Sequence, residues 1–326
     1  MDTVFLDRAS LDRGDLDLAA LEQAAERMTY FEQTRPGEVV ERIRPVQAVI
    51  TNKVVLDADA IAAASRLKAI LVAATGVNNV DVEAARRAGI TVMNCRAYGT
   101  DAVAQHTILL MLCLLTSHHA YAQDVRGGEW SRSSFFCLLG HPIREAAGKT
   151  LGIVGYGTLG RRVAELAEAF GMRVRVSERP GGGAAEAGGR PRRVPFEQLA
   201  EEADVLSLHC PLTPETEGLI NADVLARMAS DAVLVNTARG GLVREQDLLD
   251  ALRAGAIAGA AVDVVSEEPP PADHALVEAY AAGTAPNLLV TPHCAWGSRE
   301  ARQRVVDQLA EGLVAYQRGE PIREVT

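Results

Sequence analysis

The sequence lacks any run of about 18 or more apolar residues, the length a membrane-spanning helix requires, so no membrane partner is expected. It also lacks the marks of a secretory signal. The opening "MDTVFLDRAS" has neither a basic n-region nor a long apolar stretch. Cysteine is scarce and unpatterned: Cys95, Cys113, Cys137, Cys210 and Cys294 are odd in number and form no C-x-x-C pair. Neither a disulfide framework nor a metal site is expected, and a reducing cytoplasm fits. Positive charge is in deficit, with a formal net charge of −10. That argues against nucleic acid or an anionic membrane surface, both of which need a basic footprint. A small anion stays admissible, because one local arginine outweighs a diffuse surface field at short range.

What is present is an ordinary mixture, 48% hydrophobic and 23% charged over 326 residues, enough for two domains with sizeable cores. In the first hundred residues "TVFLD" (3–7), "QAVITN" (47–52), "KAILVAAT" (68–75) and "ITVMN" (90–94) predict strands. Between them "DLAALEQAA", "DADAIAAAS" and "DVEAARRAG" predict helices, each opened by an aspartate suited to capping. Apolar strands alternating with helices imply a parallel sheet covered on both faces. Residues 101–125 lack Gly and Pro and are apolar nearly all round, which predicts one long buried helix between the domains. Residues 126–149 read as irregular and carry Trp130, Phe135 and Phe136.

A second strand–helix series follows. Strands are expected in "TLGIVGYG", "MRVRVSE", "DVLSLHCPLT", "AVLVNTA", "GAAVDVV" and "NLLVTPH". The helix after the first of these places Val163, Leu166, Ala167 and Phe170 on one face and stops at Gly171. Residues 180–190, rich in glycine, predict a flexible surface loop, and "SREARQRVVDQLAEGLVAYQRG" a closing helix. The fold class is therefore α/β, with two doubly wound parallel-sheet domains.

The sharpest local motif is "GIVGYGTLG", in which Gly155, Gly157 and Gly160 stand after a strand and open a helix. The first glycine makes a tight turn and the second lets backbone approach a pyrophosphate. The third lets helix and strand pack closely, with the phosphate on the first turn at Thr158 and Leu159. Glu178 ends the next strand, 18 residues after Gly160, where an acid holds the adenosine ribose hydroxyls. It would repel a 2′-phosphate, which favours NAD; Ser177 and Arg179 beside it leave NADP open. A lone glycine turn is weak evidence, but strand, helix and acid in register make a ligand-free turn the minority explanation.

Three ionisable residues then follow apolar runs: Arg239 in "NTARGG", Glu268 in "DVVSEEPP" and His293 in "TPHCAWGS". Each alone is more simply a salt-bridge partner or a satisfied core histidine. Behind a dinucleotide motif, at strand ends where such sheets bind ligands, they supply what hydride transfer to a 2-keto acid needs. A guanidinium pairs with a carboxylate and polarises the keto oxygen. A histidine delivers the proton, and a carboxylate orients the imidazole.

In these motifs, and in "AATGVNNVDVEAARRAGITVMNCRAYGTDAVAQHT", "LHCPLTPET" and "TPHCAWGSREA", the chain resembles the D-isomer-specific 2-hydroxyacid dehydrogenases over nearly its whole length. The resemblance implies that Arg239 grips the substrate, His293 is the acid/base, and Glu268 is its partner; Glu268 is preferred to Glu267 because the family acid directly precedes proline. It implies that Asp263, Thr237 and Ala238 face the nicotinamide, and that Cys210, Pro211 and Thr216 line the adenosine side. Thr75 and Gly76 would offer backbone N–H groups to the substrate, and Tyr98 would line its pocket.

By the same resemblance residues 1–100 plus 297–326 form a flavodoxin-like substrate domain and residues 101–296 a Rossmann NAD domain. The active site would lie in a cleft between them that closes by a hinge. A homodimer is implied, with the segment Trp130 to Phe136 either at its interface or folded onto its own chain. Asn78, where many members have aspartate, and Cys294, where a small residue is common, depart from the family pattern. The stretches "SERPGG" and "HCAWGSREARQR" are most similar to the hydroxypyruvate reductase (glycerate dehydrogenase) branch, which implies a small polar 2-keto acid.

Two other readings compete. Formate- or phosphite-oxidising relatives are disfavoured by Glu268, since formate oxidation needs no proton relay. An NADH-sensing scaffold resembling the C-terminal-binding corepressors can keep the triad, but usually carries long tails that this chain, ending at Thr326, is not expected to have. A phosphoserine-pathway enzyme is disfavoured because the remaining length holds no regulatory domain.

Overall fold

The computed structural model describes residues 1–178 and 191–326; Arg179 and the glycine-rich stretch 180–190 lie outside the described residues. The chain divides into two compact units, Met1–Gly99 with Gly297–Thr326, and Thr100–Trp296.

The first unit holds five parallel strands, β1 (Asp2–Phe5), β2 (Arg27–Tyr30), β3 (Ala48–Thr51), β4 (Ala69–Val72) and β5 (Thr91–Asn94), in the order β2-β1-β3-β4-β5. Strands β3 and β4 are buried at every residue, as a sheet covered on both faces requires. The Asp57 and Asp81 carboxylates cap their helices by accepting from Ala60 and Ala84 N–H at 2.8 Å. The first helix, Ala19–Ala24, differs: Leu18 is its N-cap, and Asp17 accepts from Ala19 N–H one residue earlier than expected. Strand β2 was not legible as a strand, because Arg27–Tyr30 pairs only with β1 at the sheet edge and buries none of its residues. The closing helix Arg299–Gln317, capped by Ser298, buries Val305, Val306, Leu309 and Leu313 and packs on the first helix and β4. The last residues then bond along β5, Asn94 N–H to Arg323 O and Val325 N–H to Val92 O, which shields that edge.

The second unit holds seven parallel strands: β6 (Thr150–Val154), β7 (Arg173–Ser177), β8 (Arg192–Val194), β9 (Val205–Leu208), β10 (Val233–Asn236), β11 (Gly259–Val262) and β12 (Leu288–Val290). Their order is β12-β11-β10-β9-β6-β7-β8, so the strand order reverses between β6 and β9. Alternate residues of β10 enter different cores: Leu234 packs with Leu206 and Val262, while Val233 and Val235 pack with Ile153 and Ala261. Strand β8, a short edge strand on β7, was not anticipated.

The expected long helix is broken. Thr100–Leu115 buries Ile108, Met111, Leu114 and Leu115, but the chain then bends by 66° into His118–Arg126, which buries nothing. Ser117 sits at φ +49 and its hydroxyl donates to Pro142 O at 2.8 Å, while Thr116 bonds back to Leu112 O. One hydroxyl bonding back within the helix and one drawn to a carbonyl distant in sequence thus mark the end of a helix that its apolar pattern would continue. No single helix among the described residues is long and apolar enough to cross a membrane, although this bent pair passes by length and composition. In the helix Thr158–Ala169 the buried face is Gly160, Val163, Ala164 and Ala167; Phe170, expected there, is 46% exposed just past its end.

A Cβ on Gly160 would stand 2.2 Å from Gly155 O, so this helix meets the turn after β6 at backbone contact. Gly160→Ala is expected to lower unfolding free energy by about 1–3 kcal/mol in urea titration, the usual cost of forcing an extra methyl into a filled contact.

Candidate active site

Because every strand of the second sheet is parallel, β6, β9, β10, β11 and β12 all deliver their carboxyl ends to one edge. The glycine turn lies there. Gly155 has φ +98, and a Cβ on it would strike Cys210 N at 2.5 Å and His209 C at 2.6 Å. Gly157 is the contrasting case: a Cβ there would meet nothing within 4 Å. Gly157 caps the helix Thr158–Ala169, whose first-turn N–H groups at Thr158 and Leu159 have no partner within the helix. Closed at Gly155 and Gly160 and open at Gly157, the turn fits a pyrophosphate.

Glu178 follows β7 directly, with its N–H held by Val194 O at 2.8 Å. On the other flank the Thr216 hydroxyl donates to Pro211 O and accepts from Thr213 N–H, both at 2.8 Å. Thr216 is buried, and its hydroxyl locks the Cys210–Pro211 turn. Burial raises the Cys210 thiol above its ordinary range.

Arg239 stands three residues beyond β10, exposed, with its Nη1 donating to Ala238 O at 2.7 Å. The turn that presents it is braced by a residue the sequence did not single out. Asn236, fully buried, accepts from Ala238 N–H at 3.0 Å and donates to Arg239 O at 2.8 Å. Both ends of one amide are consumed in fixing "NTAR", which a buried amide must do to avoid an orphaned group. Thr237 is buried and shares a 2.9 Å hydrogen bond with Thr107.

Glu268 and His293 are brought together from two loops: Glu268 Oε2 lies 2.5 Å from His293 Nδ1, and both side chains stay partly exposed. Glu268 Oε1 accepts from Val265 N–H, which fixes the carboxylate plane. That bond to Nδ1 leaves Nε2 of His293 as the ring's outward atom. His293 itself sits at φ +50, a left-handed conformation that costs a residue with a Cβ about 1–2 kcal/mol. The conformation is held by Asp263, whose backbone O accepts from His293 N–H at 2.7 Å. The Asp263 carboxylate accepts from Cys294 N–H, Ala295 N–H and the Thr291 hydroxyl, and His106 Nε2 reaches Thr291 Oγ1 at 3.1 Å. Asp263 is buried and largely spent on the loop that carries His293; His106 and Thr291, absent from the sequence reading, complete that support.

In the first unit the turn at Thr75–Gly76 follows β4, and Thr75 O accepts from Asn94 Nδ2 at 2.7 Å. Tyr98 O accepts from Arg304 Nε at 2.7 Å in the same unit. Asn78 is exposed on the turn after Gly76.

Comparison with known proteins joins this geometry to a lineage. Residues 108–295 match the family described as D-isomer specific 2-hydroxyacid dehydrogenase, NAD binding domain. The chain belongs to that family. Among relatives of this dehydrogenase chain, a glycerate dehydrogenase of Methylorubrum extorquens is 42% identical over 318 residues, covering 98% of this chain and 96% of that one. A hydroxypyruvate reductase of Blautia hydrogenotrophica is 37% identical and covers 100% and 99%. Of solved structures, an NADPH-dependent glyoxylate/hydroxypyruvate reductase from Sinorhizobium meliloti is similar at TM-score 0.82 and 28% identity, covering 100% and 97%.

Beneath the glycine turn, His209 keeps Nε2 2.9 Å from Ser207 Oγ, while its Nδ1 is buried without a partner. Desolvation holds this ring down to about 4, against an ordinary 6.5. Above pH 6.5 the ring is neutral in the folded and unfolded chain alike; between about 6.5 and about 4 only the unfolded chain takes up the proton. Stability is therefore complete above that window and falls as pH drops through it. Urea titration is expected to show about 2 kcal/mol lost between pH 7 and pH 5 from this group, and His209→Gln to flatten that slope.

Proposed function

We propose that this chain is an NAD(P)-dependent oxidoreductase that interconverts a small 2-keto acid and its D-2-hydroxy acid, with hydroxypyruvate or glyoxylate as the favoured keto acid. The observation that carries the reading is the paired Glu268 and His293 beside the Arg239 turn, on the carboxyl ends of three adjacent strands that share an edge with the glycine turn. The names of the glycerate dehydrogenase and hydroxypyruvate reductase relatives support the substrate class.

The bound nicotinamide supplies or takes up the hydride. Gly155, Gly157 and Gly160, with the N–H groups at Thr158 and Leu159, hold its pyrophosphate, and Glu178 holds the adenosine ribose, which favours NAD while NADP is admitted. Cys210, Pro211, Thr216, Thr237 and Ala238 form the walls, and Asp263 shapes the nicotinamide end through the loop it braces. Arg239 grips the substrate carboxylate with its planar fork and draws electron density toward the keto oxygen. His293 donates from Nε2 to that oxygen in reduction and takes the proton back in oxidation. Glu268 at Nδ1 fixes the tautomer and the orientation of the ring for donation.

We also assign a homodimer. Trp130 (52% exposed), Phe135 (76%), Phe136 (91%), Leu139 (78%) and Ile143 (58%) form one apolar segment, not one folded onto its own chain. Trp130 Nε1 donates to Phe136 O at 2.9 Å, which keeps the exposed rings in a set shape. Among the described residues all five cysteines are free, which supports a reducing, cytoplasmic setting.

An NADH- and NADPH-oxidation assay with hydroxypyruvate, glyoxylate, pyruvate and phenylpyruvate tests the activity; no turnover on any of them would sink it. His293→Ala is expected to lose about 10²–10⁴ in kcat while NADH affinity, read by fluorescence, stays within about twofold. Arg239→Lys should raise KM and lower kcat together, since a point charge cannot reproduce a two-pronged grip; wild-type kinetics in that variant would remove the carboxylate role. For the dimer, sedimentation velocity should give twice the chain mass, and Phe136→Glu should shift it toward monomer.

A further inference from the structure

A second carboxylate–histidine pair lies close to the first and has no part in the chemistry described above. Glu245 opens the helix Glu245–Ala254. Its Oε2 stands 3.2 Å from Nε2 of His274, whose side chain is 7% exposed and whose Nδ1 is buried without a partner. The loop of residues 264–274, which carries Glu268, begins at the end of β11 and closes on His274. A plain ion pair would end there. Glu245 goes further: Oε1 accepts from Ser266 N–H at 2.7 Å, and Oε2 accepts from the Ser266 hydroxyl at 2.8 Å. One mostly buried carboxylate thus grips the loop near its start and at its end.

The gripped peptide adjoins the one on which Glu268 rests. Val265 N–H, one residue before Ser266, donates to Glu268 Oε1, and Glu268 Oε2 meets His293. From the opposite side, a Cβ on Gly240 would stand 2.0 Å from Val265 C and O and 2.4 Å from Ser266 N. The turn after Arg239 therefore lies in backbone contact with the same peptide that Glu245 holds. A single contiguous set of contacts runs from Arg239 and Gly240, through Val265–Ser266, to Glu268 and His293.

We propose that Glu245 is a positioning residue for keto-acid reduction: by fixing the Val265–Ser266 peptide, with His274 holding the loop's far end, it presents Glu268 to His293. This rests on the reading of Glu268 and His293 given above. It acts through Glu268 and touches neither substrate nor cofactor. A carboxylate is suited to the task because each oxygen can accept more than one bond, whereas an amide in its place offers only one accepting oxygen.

The test is a double-mutant cycle on the full chain with hydroxypyruvate and NADH, comparing wild type, Glu245→Gln, Glu268→Gln and the double variant. Glu245→Gln is expected to lower kcat by about tenfold, the scale of one lost positioning hydrogen bond, with the dissociation constant for NADH within about twofold. The double variant should be no slower than Glu268→Gln alone by more than about twofold, because a residue acting only through Glu268 has nothing left to position. Ser266→Ala, at an exposed loop position, removes one bond of the grip if Glu245→Gln does not fold; about threefold loss in kcat is expected, again absorbed in the Glu268→Gln background. Losses that multiply in the double variants would overturn the proposal, as would full kcat in Glu245→Gln or a matching loss of NADH binding. Full kcat in Glu268→Gln would instead overturn the role given to Glu268, and with it the route assigned to Glu245.

Discussion

Parallel pairing is the constraint from which the second unit takes its form. Seven strands running one way force every connection to cross over a face, so both faces are covered and polar groups are expelled from them. They also bring every strand's last residue to a common edge. Three short overhangs beyond β10, β11 and β12 are then enough to gather Arg239, Glu268 and His293 from points spread over more than fifty residues of sequence. The reversal between β6 and β9 opens a crevice on that edge, and the glycine turn sits at its rim.

The polar residues at this edge divide by depth. Arg239, Glu268 and His293 are wholly or partly exposed, whereas Asn236 and Asp263 are buried and Glu245 is nearly so. The exposed group can change charge and partners at modest cost. The buried group cannot, since each unpaired polar atom there would cost about 1–3 kcal/mol. Asn236 holds the arginine turn, Asp263 the histidine loop and Glu245 the loop of the acid, and each spends its side chain on backbone N–H groups. Backbone contacts of this kind set loop geometry without demanding a particular neighbouring side chain.

How much of this could be seen in the sequence follows from the range of each contact. The two-sheet α/β class was legible, since apolar strand runs and helix patterns are local. The glycine spacing was legible for the same reason. Strand β2 was not, because an edge strand with no buried residue carries no apolar run. The bend at Ser117 was hidden because Ser117 bonds to Pro142, 25 residues away. Glu245 and His274 were passed over because each looks like an ordinary surface residue until residues 21 to 29 apart in sequence are brought together. Asn236 adjoined a motif already noticed, but its amide's double use depends on a turn whose shape no residue pattern spells out.

The first unit is interrupted in sequence, and its β5 edge is shielded by the final residues of the chain. During synthesis the sheet of residues 1–99 therefore emerges long before the helix Arg299–Gln317 and the tail that complete it. The second unit, being continuous, has all its strands in hand first. The amino-terminal unit is thus the last to be completed, and the face of β4 that the helix Arg299–Gln317 covers waits unburied through the translation of some two hundred intervening residues. A nascent chain of this kind asks for protection at its beginning rather than at its end.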